Sequence, residues 1–234
     1  MPHDVEIPQH VIDRVIEKRG RRNVFDRFEP AKTALLVVDM QNFFVDGCEP
    51  AASIMPNINR LAHGMRERGV PVIWIQMVMA DSTDAPSNFP IYHQHFFTDD
   101  KRAAHKAGLT AGSHGHAIVA GLDVQPGETV VQKTRFSALI QGSSGLAGVL
   151  EGLGVENLVI TGTLTNICCE STARDGMMIG YRAVMVSDAC ASRTDEDHLA
   201  GLTSVFQSFG DVRTTDEALV ELLPLEGSAS QAAE

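Results

Sequence analysis

The sequence predicts a three-layer α/β domain built on a mainly parallel six-stranded sheet. Two observations predict it. Apolar, β-branched runs alternate along the chain with stretches of amphipathic helical periodicity, the pattern of a sheet covered by helices on both faces. The length, 234 residues, suits one large domain with a substantial core better than two small ones.

Taken in order, the strands are expected at 33–39 (TALLVVD), 70–77 (VPVIWIQM), 129–133 (TVVQK), 157–161 (NLVIT), 181–187 (YRAVMVS) and a short sixth at 211–214. Helices are expected at about 53–68, 143–153, 166–179 and 194–208. Thr194 followed by Asp197 forms a capping-box-like start for the last of these. An extra helix at 6–20 belongs to an N-terminal extension, 1–32; the main domain itself spans 33–226. Residues 227–234 (GSASQAAE) lack the apolar content that orders a segment and are expected to be disordered. The longest stretch without clear periodicity, 79–127, holds five of the nine histidines and is expected to be a loop that helps close a pocket.

A formal net charge of -11 offers no basic footprint for nucleic acid or an anionic membrane. No run has the length of a membrane span, and the charged N-terminus does not read as a secretory signal, so a cytoplasmic protein is expected. The four cysteines, Cys48, Cys168, Cys169 and Cys190, form no C-x-x-C pair and are expected to be free thiols.

In an open parallel sheet, ligands bind beyond the carboxyl ends of the strands. That rule collects Asp39 after the first strand, Lys133 at the end of the third and Cys168 just past the fourth. Each residue alone has an ordinary structural explanation; an acid, a base and a thiol on one sheet edge point to nucleophilic catalysis. Thr165 or Asn166 can cap the following helix, so a thiol in its first turn is expected to be acidified by the free amides, the helix dipole and Lys133. Adjacent helical residues point about 100° apart. Cys169 starts an apolar series with Ala173 and Met177, and spacing therefore favours Cys168 for chemistry without excluding its neighbour.

The segments ALLVVDMQNFF (34–44), ETVVQKTRFSAL (128–139), LVITGTLTNICCESTARDG (158–176) and GYRAVMVSDACA (180–191) resemble the isochorismatase-like cysteine hydrolase superfamily over about 33–215. The resemblance implies an Asp39–Lys133–Cys168 triad. It also implies a cis peptide at Thr163–Leu164 and an oxyanion hole formed by the backbone amides of Leu164 and Cys168. The implied reaction is hydrolysis of a C–N bond in a small amide, ureido or N-carbamoyl compound through a thioester intermediate, with ammonia released and no cofactor. A homo-oligomer, dimer or tetramer, is also implied.

Three alternatives compete. A nicotinamidase-like amidase would resemble metal sites that include an Asp-x-His, which QMVMADSTDAPSNF (76–89) lacks. His93-x-His95 is the obvious metal candidate, and i, i+2 spacing alone is weak support; His105, His114 and His116 are no stronger, and all read as surface or pocket-lining histidines, so no metal is expected. An isochorismatase-type vinyl-ether hydrolase would not need Cys168, and a non-catalytic binding protein would need none of the three residues. Candidate substrate contacts are Asn42, Phe44, Gln76, Tyr92, Arg135 and Phe136, with Phe43 and Trp74 as further apolar walls.

Overall fold

The computed structural model describes residues 3–225. In chain order the elements are α1 (Gln9–Arg19), β1 (Thr33–Val38), α2 (Asn42–Val45), α3 (Glu49–Ser53), α4 (Met55–Glu67), β2 (Val72–Met77), α5 (Pro90–His95), α6 (Asp99–Gly108), β3 (Thr129–Lys133), α7 (Leu146–Gly152) and β4 (Asn157–Thr163). After β4 come a π-helical turn (Thr165–Cys169), α8 (Glu170–Met178), β5 (Arg182–Ala191), α9 (Asp195–Ser208), β6 (Asp211–Arg213), α10 (Thr215–Glu217) and a second π-helical turn (Ala218–Leu222). All six strands pair in parallel in the order β3-β2-β1-β4-β5-β6. The order reverses between β1 and β4, and a crevice opens there at the strands' carboxyl ends.

The period-two pattern of β1 shows how the layers form. Ala34, Leu36 and Val38 face a core completed by Leu146 and Leu150 of α7, Ala173 of α8 and Leu202 and Val205 of α9. Leu35 and Val37 face the opposite core with Ile58, Leu61 and Met65 of α4 and Ala218 and Leu222 of the last turn. Burial on both faces explains why these strands read as unbroken apolar runs. The N-terminal helix is docked on this body: Val11 and Val15 of α1 pack against Phe206 of α9. Buried Asp211 fastens the segment behind it by accepting bonds from the N–H groups of Val24 and Phe25.

Three expectations need correction. The stretch 79–127 is not a plain loop, because it contains α5 and α6. Strand β5 continues past Ser187 to Ala191, with a register irregularity against β4 between Ile160 and Gly162. The helix expected over 166–179 starts as a π-helical turn, with neither Thr165 nor Asn166 as a side-chain cap. The expected tail, 227–234, lies outside the described residues. Among the described residues no helix is long and apolar enough to cross a membrane.

Candidate active site

Asp39 is the first residue past β1, and its backbone has φ 50°. This left-handed conformation is costly for a residue with a Cβ and persists only where the surroundings enforce it. Here the Asp39 N–H donates to Ile75 O (2.9 Å), while its carbonyl accepts from the Gln41 N–H (2.8 Å) and the Thr163 hydroxyl (2.9 Å). Gln41 is itself buried and locked, accepting from the Met77 N–H and donating to the carbonyls of Met77 and His116. Gly162 permits β4 to pass this corner, since a Cβ there would lie 2.1 Å from Val38 O.

Lys133 ends β3 in register with Met77 of β2 and is fully buried. Its ammonium has three donors. They meet Asp39 Oδ2 at 2.8 Å, the Arg135 carbonyl at 3.0 Å and Cys168 Sγ at 3.4 Å. The Asp39 charge is balanced chiefly by the Lys133 ammonium, 2.8 Å from Oδ2.

Cys168 lies in the π-helical turn that links β4 to α8, 5% exposed. The peptide bond between Thr163 and Leu164, just upstream, is cis. The Leu164 carbonyl accepts from Ile167 N (3.1 Å) and Cys169 N (3.2 Å), while the Leu164 N–H donates to no acceptor among the described residues. Helix α9 braces the turn from behind. Thr165 Oγ1 pairs with His198 Nδ1 at 2.8 Å, and Asn166 bonds Asp197 and Ser192. This close packing needs Gly201, where a Cβ would lie 2.8 Å from the Asn166 Cα. Cys169 points into the core, fully buried and 3.8 Å from Thr161 O.

The expected acidification of the thiol is not found. Burial pushes the Cys168 thiol well above its usual range and outweighs the Lys133 cation, and the Asp39 charge acts in the same upward direction. Burial likewise pushes the Asp39 carboxyl up, against the pull of Lys133. For Lys133 burial acts downward, yet Asp39 and Cys168 together hold the ammonium above its ordinary value. The site thus contains one fixed cation and two groups that each resist ionisation. Passing a proton from Cys168 to Asp39 leaves the buried net charge unchanged, so thiolate forms without adding an unpaired buried charge.

Cys168 opens on a cavity of about 140 Å³, below the roughly 300–1,000 Å³ of drug-sized ligand sites. Its walls are mainly apolar, with Phe44, Tyr92, Phe97 and Phe136 among them, and two polar side chains, His105 and Arg193, reach it. An outer recess of about 370 Å³ shares Phe43, Phe44, Leu164 and Arg193 with it. Arg193 is exposed and has neither an ion pair nor a hydrogen bond among the described residues.

Residues 33–217 match the isochorismatase domain family. The chain belongs to the isochorismatase family. It is 32% identical to the ureidoacrylate amidohydrolase RutB of Pseudomonas savastanoi pv. phaseolicola, covering 94% of this chain and 95% of that one. It is 30% identical to enterobactin synthase component B of Escherichia coli K12, covering 100% of this chain and 73% of the relative. Among solved structures it resembles a cysteine hydrolase from Pseudomonas syringae pv. phaseolicola, with a TM-score of 0.69, 25% identity and coverage of 85% and 97%. It also resembles the N-carbamoylsarcosine amidase of Thermoplasma acidophilum, with a TM-score of 0.62, 25% identity and coverage of 84% and 99%.

Within this isochorismatase-family fold, the structure brings Asp39, Lys133, Leu164 and Cys168 together and divides the other candidates. Phe44, Tyr92 and Phe136 line the cavity, as does Phe43. Asn42 instead bonds the His114 carbonyl, and Gln76 the His116 carbonyl. Arg135 is held by the carbonyls of Asn88 and Thr134 and stacks on Phe89, lining a separate groove. Trp74 is core, its Nε1–H donating to Glu128. His93 and His95 do not converge: His93 is buried against His105, and His95 is exposed. Among the described residues no group of three or more His, Cys, Asp or Glu could hold a metal ion. Sequence reasoning missed Arg193 on the cavity wall and weighed His105, which also lies there, only as a weak metal candidate or a pocket-lining histidine.

Proposed function

We propose that this isochorismatase-family protein is a cysteine-nucleophile amidohydrolase acting on a small ureido or N-carbamoyl acid. The observation that carries the reading is the contact chain at the cavity floor, in which one buried ammonium lies 2.8 Å from the Asp39 carboxylate and 3.4 Å from the Cys168 sulfur. Asp39 takes the thiol proton, and the thiolate attacks the carbonyl carbon of the substrate. The oxyanion that forms accepts from the N–H groups of Leu164 and Cys168, the first of which is free for the task. Asp39 returns the proton to the leaving nitrogen, the C–N bond breaks, and ammonia departs from a thioester. Water then gives a proton to Asp39 and its oxygen attacks the thioester; the C–S bond breaks, and Cys168 regains its proton. Throughout, Lys133 offsets whichever of the two groups is anionic.

Substrate class is argued from the wall of the cavity. A small apolar chamber suits a compact group, and an unpaired guanidinium at its mouth suits a carboxylate, for which Arg193 offers a bidentate fork. Names of relatives point the same way, one acting on ureidoacrylate and one on N-carbamoylsarcosine. The likeness to enterobactin synthase component B raises the vinyl-ether reading. A thiol in contact with Lys133 favours C–N hydrolysis instead. Ammonia release from a panel of N-carbamoyl acids, ureido acids and simple amides tests the proposal. Turnover of none of them by the purified wild-type protein would refute it.

A further inference from the structure

The geometry points to His105 as a specificity-determining hydrogen-bond donor, held by His93 as a neutral Nε2–H imidazole that, with Arg193, receives the substrate's carboxylate. The carboxylate rests on the proposed substrate class; the tautomer does not.

Two imidazoles meet in the wall of the catalytic cavity. His93 Nε2 lies 2.9 Å from His105 Nδ1, with the rings nearly perpendicular at 88°. The His105 ring is fixed on its other sides by edge contacts with Phe43 and Tyr92 and by the tilted ring of Phe97. Its orientation is therefore set by packing rather than by solvent.

Both rings are neutral at physiological pH. Burial, followed by the neighbouring His93 and Arg193, brings the His105 pKa down to about 4. Burial and the cations Arg102 and Lys106 lower that of His93. A single proton then lies between the two facing nitrogens, and two arrangements are available. If His105 donated, neutral His93 would carry its proton on Nδ1. That atom is buried without a partner, and an orphaned N–H is among the most costly of buried polar groups. If His93 donates instead, its Nδ1 is an empty acceptor, and His105 must carry its own proton on Nε2. His105 Nε2 has no partner among the described residues and is not sealed from solvent, on a ring that lines the cavity beside Cys168. The second arrangement therefore presents a fixed donor to the chamber.

Arg193 is close enough to lower the His105 pKa, so a cation and a neutral donor border the same chamber. The pair fits an oxyanion at the end of the substrate remote from Cys168. His105 is thus a binding group and takes no part in proton transfer.

Two measurements on the full chain test this. Imidazole nitrogen NMR shifts of the Cys168→Ala protein are expected to show His105 as the Nε2–H tautomer, with that signal moving on addition of N-carbamoylglycine but not of N-methylurea, which lacks the carboxylate. An Nδ1–H tautomer, or a signal indifferent to the carboxylate, would overturn the assignment. Kinetically, His105→Phe preserves the aromatic packing and is expected to raise KM for N-carbamoylglycine about 10- to 100-fold with kcat nearly unchanged. His105→Gln, which restores a donor near the Nε2 position, should recover most of the loss; an unchanged KM in His105→Phe contradicts the proposal. Failure of the amidohydrolase reading would show differently, as no ammonia from the wild type while the tautomer and the carboxylate response stand.

Discussion

Replacing Lys133 with Met keeps the shape of the side chain and removes the cation that touches both Asp39 and Cys168. At 2.8 Å and an effective dielectric of about 20, unit charges attract by roughly 6 kcal/mol. Removing one partner of a buried pair costs about 3–5 kcal/mol, because the other charge stays desolvated. The Lys133→Met protein is therefore expected to lose about 3–5 kcal/mol in urea unfolding at mildly alkaline pH. The deficit should shrink in acid, with the following sign. Asp39 already has a raised pKa in the folded state, and losing the ammonium raises it further. A carboxyl with a raised folded pKa contributes stability that is present below its unfolded value, near 3.9, and lost as pH rises through the folded one. Adding Asp39→Asn removes the orphaned charge, so the double variant should be more stable than Lys133→Met alone. A Lys133→Met protein within about 1 kcal/mol of wild type at alkaline pH, or a double variant less stable than the single one, would refute this reading of the buried pair.

Other predictions follow from the same geometry. Arg193→Gln is expected to raise KM for N-carbamoyl acids by at least about 10-fold while sparing uncharged amides, measured by ammonia release; equal effects on both would remove Arg193 from carboxylate binding. Gly162→Ala places a Cβ 2.1 Å from Val38 O at φ 108°, and should cost more than about 2 kcal/mol in thermal or urea unfolding; a variant as stable as wild type would contradict that steric argument. His198, brought down to about 3 by burial and the nearby His3, stays neutral in the fold while the unfolded chain binds a proton below about pH 6.5. Stability is thus lost as pH falls through that window, by up to about 1.4 kcal/mol per pH unit from this group. His198→Gln should flatten that slope, and an unchanged slope would dismiss His198 as its source.

The sheet, and the meeting of Asp39, Lys133 and Cys168 at one of its edges, were legible in the sequence. Strand β1 is buried on both faces and reads as an unbroken apolar run, so Asp39 just past its end stands out; β3 is an edge strand with exposed Val130 and Gln132, and Lys133 stands out there only as the charged residue that closes TVVQK. Helix α6 was not legible because none of its residues is buried, which leaves no apolar stripe to detect. Its start was nonetheless marked by Thr98 followed by Asp99 and Asp100, and that of α5 by Pro90. Arg193 was lost through a strand end. Taking the fifth strand to stop at Ser187 puts Arg193 six residues away, whereas the irregular pairing with β4 carries β5 to Ala191 and leaves Arg193 two residues beyond it. The expected acid thiol failed because a helix start was weighed without the burial around it, and burial dominates at Cys168. Cys169 shows the reverse: its apolar spacing with Ala173 anticipated its place in the core.

The central claim, that Cys168 is the nucleophile, is tested most directly by intact-protein mass spectrometry of acid-quenched turnover with an N-carbamoyl acid. The account predicts a mass increase of one acyl group, located by fragmentation on Cys168 rather than Cys169, and absent from Cys168→Ala. A fully active Cys168→Ala protein, or an adduct on any other residue during turnover, would contradict it.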